Sequence, residues 1–140
     1  MLTFFCPNCW NTLAEGAAQC PHCAFNLREA AHRSYDERLI AALRHRVPEY
    51  RVTAAQILGR RGCAAALPEF RCILETEHDI YLLRAVLRAL KNIEEPLSIE
   101  LIQSATRHRS RLVASLAASL LTQMAAVQFP STEWETAAAR

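Results

Sequence analysis

The sequence is poor in glycine, has a single lysine and contains no long apolar run. Glycine occupies 3 of the 140 positions, while apolar residues make up 51% of the chain and charged residues 21%. This composition provides enough apolar side chains for a buried core and differs from that of disordered chains. No stretch approaches the ~20 apolar residues of a membrane span, and the first residues lack the basic-then-apolar pattern of a secretion signal. We therefore expect a folded cytoplasmic protein without a membrane segment.

A strong net charge and the common catalytic motifs are also missing. The formal net charge is +2, so no overall field attracts nucleic acid. Between Met1 and Leu27 the only charged side chain is Glu15, whereas a phosphate-binding surface needs several Lys or Arg residues. The chain contains no Gly-rich phosphate loop, no Gly-x-Ser-x-Gly and no His-Glu-x-x-His. These absences disfavour an enzyme and make nucleic acid an unlikely ligand of the N-terminal segment.

Four of the six cysteines form two CPxC units near the start, in the stretch CPNCWNTLAEGAAQCPHC. Each CxxC turn aims two thiolates at one point, and two such turns complete a tetrahedral site. We predict one structural zinc ion held by Cys6, Cys9, Cys20 and Cys23. Four thiolates leave no open position for catalysis. A redox CxxC pair or an iron site is the alternative, and His22 could replace a cysteine ligand.

This segment resembles the short zinc ribbons of bacterial proteins, with paired CPxCG knuckles, over about residues 3 to 28. Trp10 and Ala24 stand where that family usually has glycine, which eases a positive φ near the metal. The resemblance implies a small β-hairpin and a bacterial protein. Because a hairpin this small cannot bury all its aromatic residues, we expect Trp10 to pack on the rest of the chain or on a partner.

The rest of the chain repeats a pattern of two helices. The stretches YRVTAAQILGRRG, LLRAVLRALKNIE and LVASLAASLLTQM align without gaps at offsets of 32 and 30 residues, with apolar residues at helical spacing. A shorter amphipathic stretch precedes each one: RLIAALRH, ALPEFRCILE and LSIELIQSA. One such pair cannot bury its apolar face alone, so neighbouring pairs must stack. We predict helix A, turn and helix B, used three times.

These repeats resemble the HEAT-like repeats of phycobilisome lyase proteins, most closely in YRVTAAQILGRRGCAAALPEF. The resemblance implies a mainly α fold, namely a short α-solenoid of three HEAT-like helix pairs behind a small N-terminal β-hairpin zinc ribbon. The expected organisation is a ribbon in residues 1–28, a linker or helix start in 29–35, repeats in 36–127 and a C-terminal tail in 128–140. Lyase activity is the enzymatic alternative that the resemblance leaves open.

The turns between paired helices contain His45, His78 and His108. Three stacked turn histidines could bind a metal ion or sense pH. Successive repeats lie ~8 to 10 Å apart, which is too wide for three turns to share one ion readily. We therefore expect these histidines to be solvated.

A basic stripe on the second B helix is the candidate partner site. Arg84, Arg88 and Lys91 follow i, i+4, i+7 spacing, and Gln56 aligns with Arg88 in the preceding repeat. If the B helices line the inner face of the solenoid, this stripe suits an acidic peptide or helix. A solvated helix face is the alternative. A second alternative is nucleic-acid binding through these basic residues together with Arg60, Arg61, Arg107, Arg109 and Arg111.

The last B helix has almost no charge after Arg111, although a terminal repeat normally needs a polar outer face. We expect something to cover this helix. Trp134 and Phe129, in a tail with a Thr132–Glu135 capping pattern, could fold back as a lid, or the helix could dock a partner or a second copy. The predicted function is a non-catalytic adaptor or regulatory subunit that binds another protein, with Trp10 and Trp134 as further candidate contacts.

Overall fold

A computed structural model describes residues 2–128 of the chain. A two-stranded hairpin is followed by seven α-helices in this range. The elements are β1 (Phe4–Phe5), β2 (Thr12–Leu13), α1 (Leu27–Ala31), α2 (Tyr35–Ala42), α3 (Pro48–Arg60), α4 (Leu67–Thr76), α5 (Ile80–Ile93), α6 (Pro96–Ala105) and α7 (Arg111–Gln128). The mainly α fold with a small N-terminal antiparallel hairpin is confirmed. None of these helices is both long and apolar enough to cross a membrane.

The N-terminal hairpin pairs Phe4 with Leu13 and Phe5 with Thr12. The short helix α1 occupies part of the segment predicted as a linker, and the Asn26 side chain caps it by accepting a hydrogen bond from the Glu29 N–H. The ribbon therefore continues into the repeats through a helical turn.

Helix α2 begins at Tyr35, three residues before the predicted stretch, because Ser34 and Glu37 form a capping box. The Ser34 hydroxyl accepts a hydrogen bond from the Glu37 N–H, and the Glu37 carboxylate accepts one from the Ser34 N–H. These reciprocal bonds satisfy two N–H groups that the first turn of a helix otherwise leaves unpaired.

Three helix pairs stack side by side, as predicted. The A helices are α2, α4 and α6, and the B helices are α3, α5 and α7. Helix α5 packs against α3 on one side and α7 on the other, so the B helices form one continuous layer. The buried core follows this stacking and is centred on α5, which contributes Leu82, Leu83, Val86, Leu87 and Leu90, all with no exposed surface.

Gly59 allows α3 and α5 to approach closely. A Cβ atom at Gly59 would lie 2.6 Å from the Cα of Ala89 and 2.7 Å from its Cβ. Real side chains do not approach backbone that closely, so this crossing needs glycine on one helix and a small residue on the other.

An equivalent hydrogen bond occurs in each of the three turns before the B helices. In each turn the third residue before the helix accepts a hydrogen bond from the backbone N–H two residues later. The bonds run from Val47 N–H to His45 Nδ1 (3.0 Å), from Asp79 N–H to Glu77 Oε1 (3.5 Å) and from Ser110 N–H to His108 Nδ1 (3.0 Å). The B helices begin at residues 48, 80 and 111, so the third repeat is offset by 31 residues rather than the predicted 30.

This register changes the interpretation of the turn histidines. Glu77, rather than His78, is the counterpart of His45 and His108. The expectation that all three histidines are solvated is wrong for His45, of which 8% is exposed. The three histidines also do not gather around a common point, because the one group of three or more potential metal ligands in residues 2–128 is the cysteine cluster.

The outer face of α7 is less apolar than its composition suggested. Its large apolar residues Leu116, Leu120, Leu121 and Met124 are buried or half-buried against the preceding helices. The exposed positions are mostly small or polar: Ser115, Ala118, Ser119, Thr122, Gln123, Ala125 and Ala126. Leu112 and Val127 are the large apolar exceptions. The tail proposed as a lid, with Phe129 and Trp134, lies outside the described residues.

Candidate metal centre and interaction surface

The two CPxC turns bring their four sulfur atoms together. The Sγ atoms of Cys6 and Cys23 are 3.7 Å apart, as are those of Cys9 and Cys20, and all four lie within 4.8 Å of one another. A tetrahedral zinc ion with Zn–S bonds of about 2.3 Å requires sulfur atoms roughly 3.8 Å apart. The four cysteines therefore fit a zinc ion that all four sulfurs coordinate.

The two turns have the same backbone conformation. The N–H of Trp10 donates to the Cys6 carbonyl, and the N–H of Ala24 donates to the Cys20 carbonyl, each at 2.9 Å. The φ angle is 63° at Trp10 and 58° at Ala24. These left-handed conformations favour glycine, and they occur at the two positions where the sequence departs from the ribbon pattern. Trp10 and Ala24 therefore adopt this backbone conformation at a higher energetic cost than glycine would.

Polar groups surround the sulfur atoms. The Asn8 N–H donates to Cys6 Sγ at 3.4 Å, its side-chain amide donates to Cys23 Sγ at 3.5 Å, and the Asn11 amide donates to Cys9 Sγ at 3.3 Å. Such bonds orient metal ligands and reduce the charge on thiolates.

The sulfur environments differ in the absence of metal. Burial raises the pKa of the Cys6 thiol to about 11, whereas a hydrogen bond from the Asn11 backbone N–H is the main cause that lowers the pKa of Cys9 to about 6. A hydrogen bond from the Asn8 side chain lowers the pKa of Cys23. A bound zinc ion would favour the thiolate form of every ligand and act as a structural cross-link. Four thiolates would fill the tetrahedral coordination of a bound zinc ion and leave no open position for a reacting group.

Trp10 connects the ribbon to the first repeat. Its ring stacks on Phe5, with centroids 5.6 Å apart, and on Tyr50 at the start of α3, with centroids 5.3 Å apart. The ring of His45 also packs edge-on against Tyr50, with centroids 5.1 Å apart. Trp10 remains 46% exposed, so the side chain contacts the repeats and also presents surface to the outside.

The A and B helices carry opposite charge. The B helices contain one acidic residue, Glu49, and six basic residues: Arg51, Arg60, Arg84, Arg88, Lys91 and Arg111. The A helices contain two basic residues, Arg38 and Arg71, and five acidic residues: Asp36, Glu37, Glu69, Glu75 and Glu100. The repeat domain is thus positive along its B helices and negative along its A helices.

The candidate contact residues Arg88 and Lys91 of α5 face two different neighbouring helices, α3 and α7. Arg88 lies with Gln56 along the groove between α3 and α5, in a pocket of about 230 Å³. Lys91 instead faces α7, where its Nζ donates a hydrogen bond to Gln123 Oε1 at 2.8 Å. Arg84 does not line the pocket that contains Arg88. The single stripe predicted from i, i+4, i+7 spacing is therefore split between two grooves.

Two further residues line the same pocket: Arg60, which was considered from the sequence only for nucleic-acid binding, and Asn92, which was not a candidate. Arg60 and Asn92 are each the thirteenth residue of a B helix, and both line the pocket with Gln56 and Arg88. The signal that could have found them is equal position within the repeat, since Gln56 and Arg88 are each the ninth residue of their helix. The four pocket residues occupy equal positions in α3 and α5, so an alignment of the two helices reveals them, whereas the spacing within one helix does not.

A family model for HEAT repeats matches residues 37–122. The chain belongs to the HEAT-repeat family. The match begins within α2 and ends within α7, so it includes part or all of each of the three helix pairs. Comparison with curated proteins and with solved structures gave no match. HEAT repeats commonly form protein-interaction scaffolds, and the charge separation of this chain provides one surface suited to that use.

Proposed function

We propose that this HEAT-repeat protein is a non-catalytic adaptor or regulatory subunit, and that the exposed side of its B helices binds an acidic segment of another protein. The four-cysteine site holds one structural zinc ion, which fixes the ribbon against the first repeat. The single observation that carries this proposal is the charge separation between the B helices and the A helices.

Salt bridges neutralise part of the charge on both sides but, in the described part of the chain, leave basic residues of the B helices unpaired. Arg44 pairs with Glu69 at 2.7 Å, Arg61 pairs with Asp36 at 2.6 Å, and Arg51 pairs with Glu77. The first two pairs neutralise one acidic residue on α4 and one on α2, and the third neutralises one basic residue of α3. Within residues 2–128, Arg60, Arg84 and Arg88 form no salt bridge. Their charges are therefore available to an acidic partner.

Nucleic acid fits this surface less well. Arg61, one of the basic residues considered for nucleic-acid binding, is held by Asp36, and α7 carries no basic side chain after Arg111. A phosphate backbone needs a continuous row of cations, whereas this surface is basic over α3 and α5 and uncharged over most of α7. An acidic protein segment with some apolar residues matches that distribution better.

Site-specific photocrosslinking tests the proposed function. A benzophenone amino acid placed at Ser119, exposed on α7, is compared with the same amino acid at Arg71, exposed on α4. Both variants are expressed as full chains in the source organism, and crosslinked peptides are mapped by mass spectrometry. We expect Ser119 to crosslink to an acidic segment that Arg71 does not reach. Equal crosslinking from both positions, or none from Ser119, contradicts the proposal.

A further inference from the structure

Two rows of polar side chains cross the B helices. The ninth residues of α3, α5 and α7 are Gln56, Arg88 and Ser119, and the thirteenth residues are Arg60, Asn92 and Gln123. All six side chains are exposed. Every one can donate a hydrogen bond and none is acidic. We name this set the donor rows.

The packing of neighbouring helices supports this alignment. The pocket between α3 and α5 is lined by two donor-row residues from each helix, Gln56 and Arg60 on one side and Arg88 and Asn92 on the other. Its floor contains Ala85 and Ala89. The close crossing of Gly59 and Ala89 leaves no room for a bulky side chain there, so the pocket keeps a small apolar floor with polar walls.

The pocket has unused donors. Within residues 2–128, neither Arg60 nor Arg88 forms a salt bridge. Two guanidinium groups facing one cavity repel each other unless an anion lies between them, and a carboxylate accepts bidentate hydrogen bonds from arginine. A volume of about 230 Å³ accommodates a side chain and adjoining main chain.

The donor rows favour an extended segment over a helix. Adjacent B helices lie about 8 to 10 Å apart, and an extended chain in the polyproline II conformation repeats its orientation every three residues, or roughly 9 Å. An extended segment crossing the B helices therefore presents free main-chain carbonyls at the same spacing as the rows. A helix uses its main-chain carbonyls internally and would leave these amide and guanidinium donors without partners. The side-chain oxygen of Gln123 accepts a hydrogen bond from Lys91. The side-chain N–H groups of Gln123 can therefore donate to a bound segment.

We infer that the donor rows bind an extended acidic segment of a partner protein, with one Asp or Glu side chain held between Arg60 and Arg88. The main chain of the segment runs across α3, α5 and α7 and accepts hydrogen bonds from the amides of Gln56, Asn92 and Gln123. This inference rests on the proposed function and specifies the conformation and the anchoring residue of the partner.

A peptide library tests the inference even while the partner is unidentified. Random twelve-residue peptides are selected by display against the full-length zinc-loaded protein, and the affinities of the recovered peptides are measured by fluorescence anisotropy. The variants are Arg88→Ala and Arg60→Ala, with Arg71→Ala on α4 as the matched control. All three residues are exposed, and circular dichroism verifies that each variant is folded.

We expect the recovered peptides to be enriched in Asp and Glu. Arg88→Ala should weaken binding by about tenfold or more, the size of a lost hydrogen bond to a charged group, whereas Arg71→Ala should change it by less than about twofold. Replacing the anchoring acid of the peptide by its amide should cost at least this factor, because the change removes the pairing with both arginines, and adding Arg88→Ala to that change should cost little more. The Cα chemical shifts of the bound, labelled peptide should be those of extended chain.

Additive losses, helical shifts in the bound peptide, or a selection that yields no acidic peptide overturns this inference. The proposed function has its own separate readout in the Ser119 crosslink. A crosslinked acidic segment that binds as a helix, or that is insensitive to Arg60 and Arg88, refutes the donor-row inference alone. No crosslink from Ser119 refutes the proposed function.

Discussion

Trp10 of the zinc ribbon stacks on Tyr50, the third residue of α3, with the two rings inclined by 26°. The third residues of the other B helices are Leu82 and Val113, and neither has any exposed surface. Tyr50, in contrast, is 39% exposed, and the contact described on its ring from outside the repeats is the one with Trp10 of the ribbon. Because repeat proteins need a cap at their ends, this contact predicts that the ribbon caps the N-terminal side of the solenoid.

Trp10→Ala should destabilise the protein. The substitution removes two stacked contacts, each worth about 0.5 to 1.5 kcal/mol beyond area burial, and it exposes one side of the first repeat. Urea denaturation followed by circular dichroism measures the loss. Tyr81→Ala is the matched control because Tyr81 is 76% exposed and should tolerate the change within about 0.5 kcal/mol. Equal losses in the two variants would mean that the ribbon does not cap the repeats.

Metal analysis of the purified protein should find about one zinc ion per chain. Cys6→Ser or Cys20→Ser should abolish this zinc, because each removes a buried ligand from the closed set. Cys72→Ser is the control, since Cys72 is exposed on α4 and lies outside the cluster. Chelation of the metal should also weaken the protection of the α3 amides from hydrogen exchange if the ribbon caps the solenoid. A metal-free ribbon that stays folded would contradict the zinc site.

Ala24→Gly should stabilise the ribbon. Ala24 has a φ of 58°, and a left-handed conformation costs a non-glycine residue about 1 to 2 kcal/mol. Glycine removes this cost at a position with no described packing role, so zinc affinity should rise by roughly tenfold. Competition with a chromogenic chelator measures the affinity. Trp10→Gly relieves the same backbone cost but loses the stack on Tyr50, so the two substitutions should differ in the stability of α3.

The repeats and the cluster of four cysteines could be predicted from the sequence because both follow fixed local spacings. Apolar residues at helical intervals identified three helix pairs, and two CPxC units identified Cys6, Cys9, Cys20 and Cys23. Neither inference depends on how distant parts of the chain meet. A one-residue error in the second offset was enough, however, to obscure the equivalence of His45, Glu77 and His108.

The packing between repeats could not be predicted in the same way. The partner of Trp10 depends on how the ribbon docks on the repeats. The local sequence does not reveal that Tyr50 contacts the ribbon whereas Leu82, at the same position of α5, is buried. The donor rows also depend on how α3, α5 and α7 align, because each row takes one residue from each helix. Helical periodicity places Arg88 and Lys91 on one broad face, whereas packing between two neighbours directs them into different grooves.

The Arg51–Glu77 pair predicts a pH dependence of stability. Hydrogen bonds from the His78 N–H and from Arg51 lower the pKa of Glu77 below its usual value of 4.5. Because the folded-state pKa is depressed, the pair stabilises the protein above the usual value, and this contribution is lost as the pH falls through the folded-state pKa. Glu77→Gln should therefore cost about 1.5 to 3 kcal/mol at neutral pH.

The difference between wild type and Glu77→Gln should shrink as the pH is lowered below 4.5. Thermal unfolding at a series of pH values measures it. Glu75→Gln is the control, since Glu75 is exposed two residues earlier and forms no described salt bridge. A constant difference between the Glu77 variant and wild type across this range would contradict the ionic contribution.

Gly59→Ala should destabilise the protein even though alanine is the better helix former. The added methyl group would lie 2.6 Å from the Cα of Ala89, and overpacking of this kind costs about 1 to 3 kcal/mol. Replacing glycine by alanine inside a helix recovers about 1 kcal/mol, so a net loss of up to about 2 kcal/mol is expected. Urea denaturation measures the change.

Ala89→Gly in the Gly59→Ala chain separates this clash from other causes. It removes the Ala89 Cβ atom, which would lie 2.7 Å from the new methyl group, and leaves the clash with the backbone of residue 89 in place. Alone, Ala89→Gly should destabilise α5 by about 1 kcal/mol. In the double variant its effect should be smaller than this or reversed, because the two helices regain part of the space they need. Strict additivity of the two changes would show that α3 and α5 do not cross at these residues.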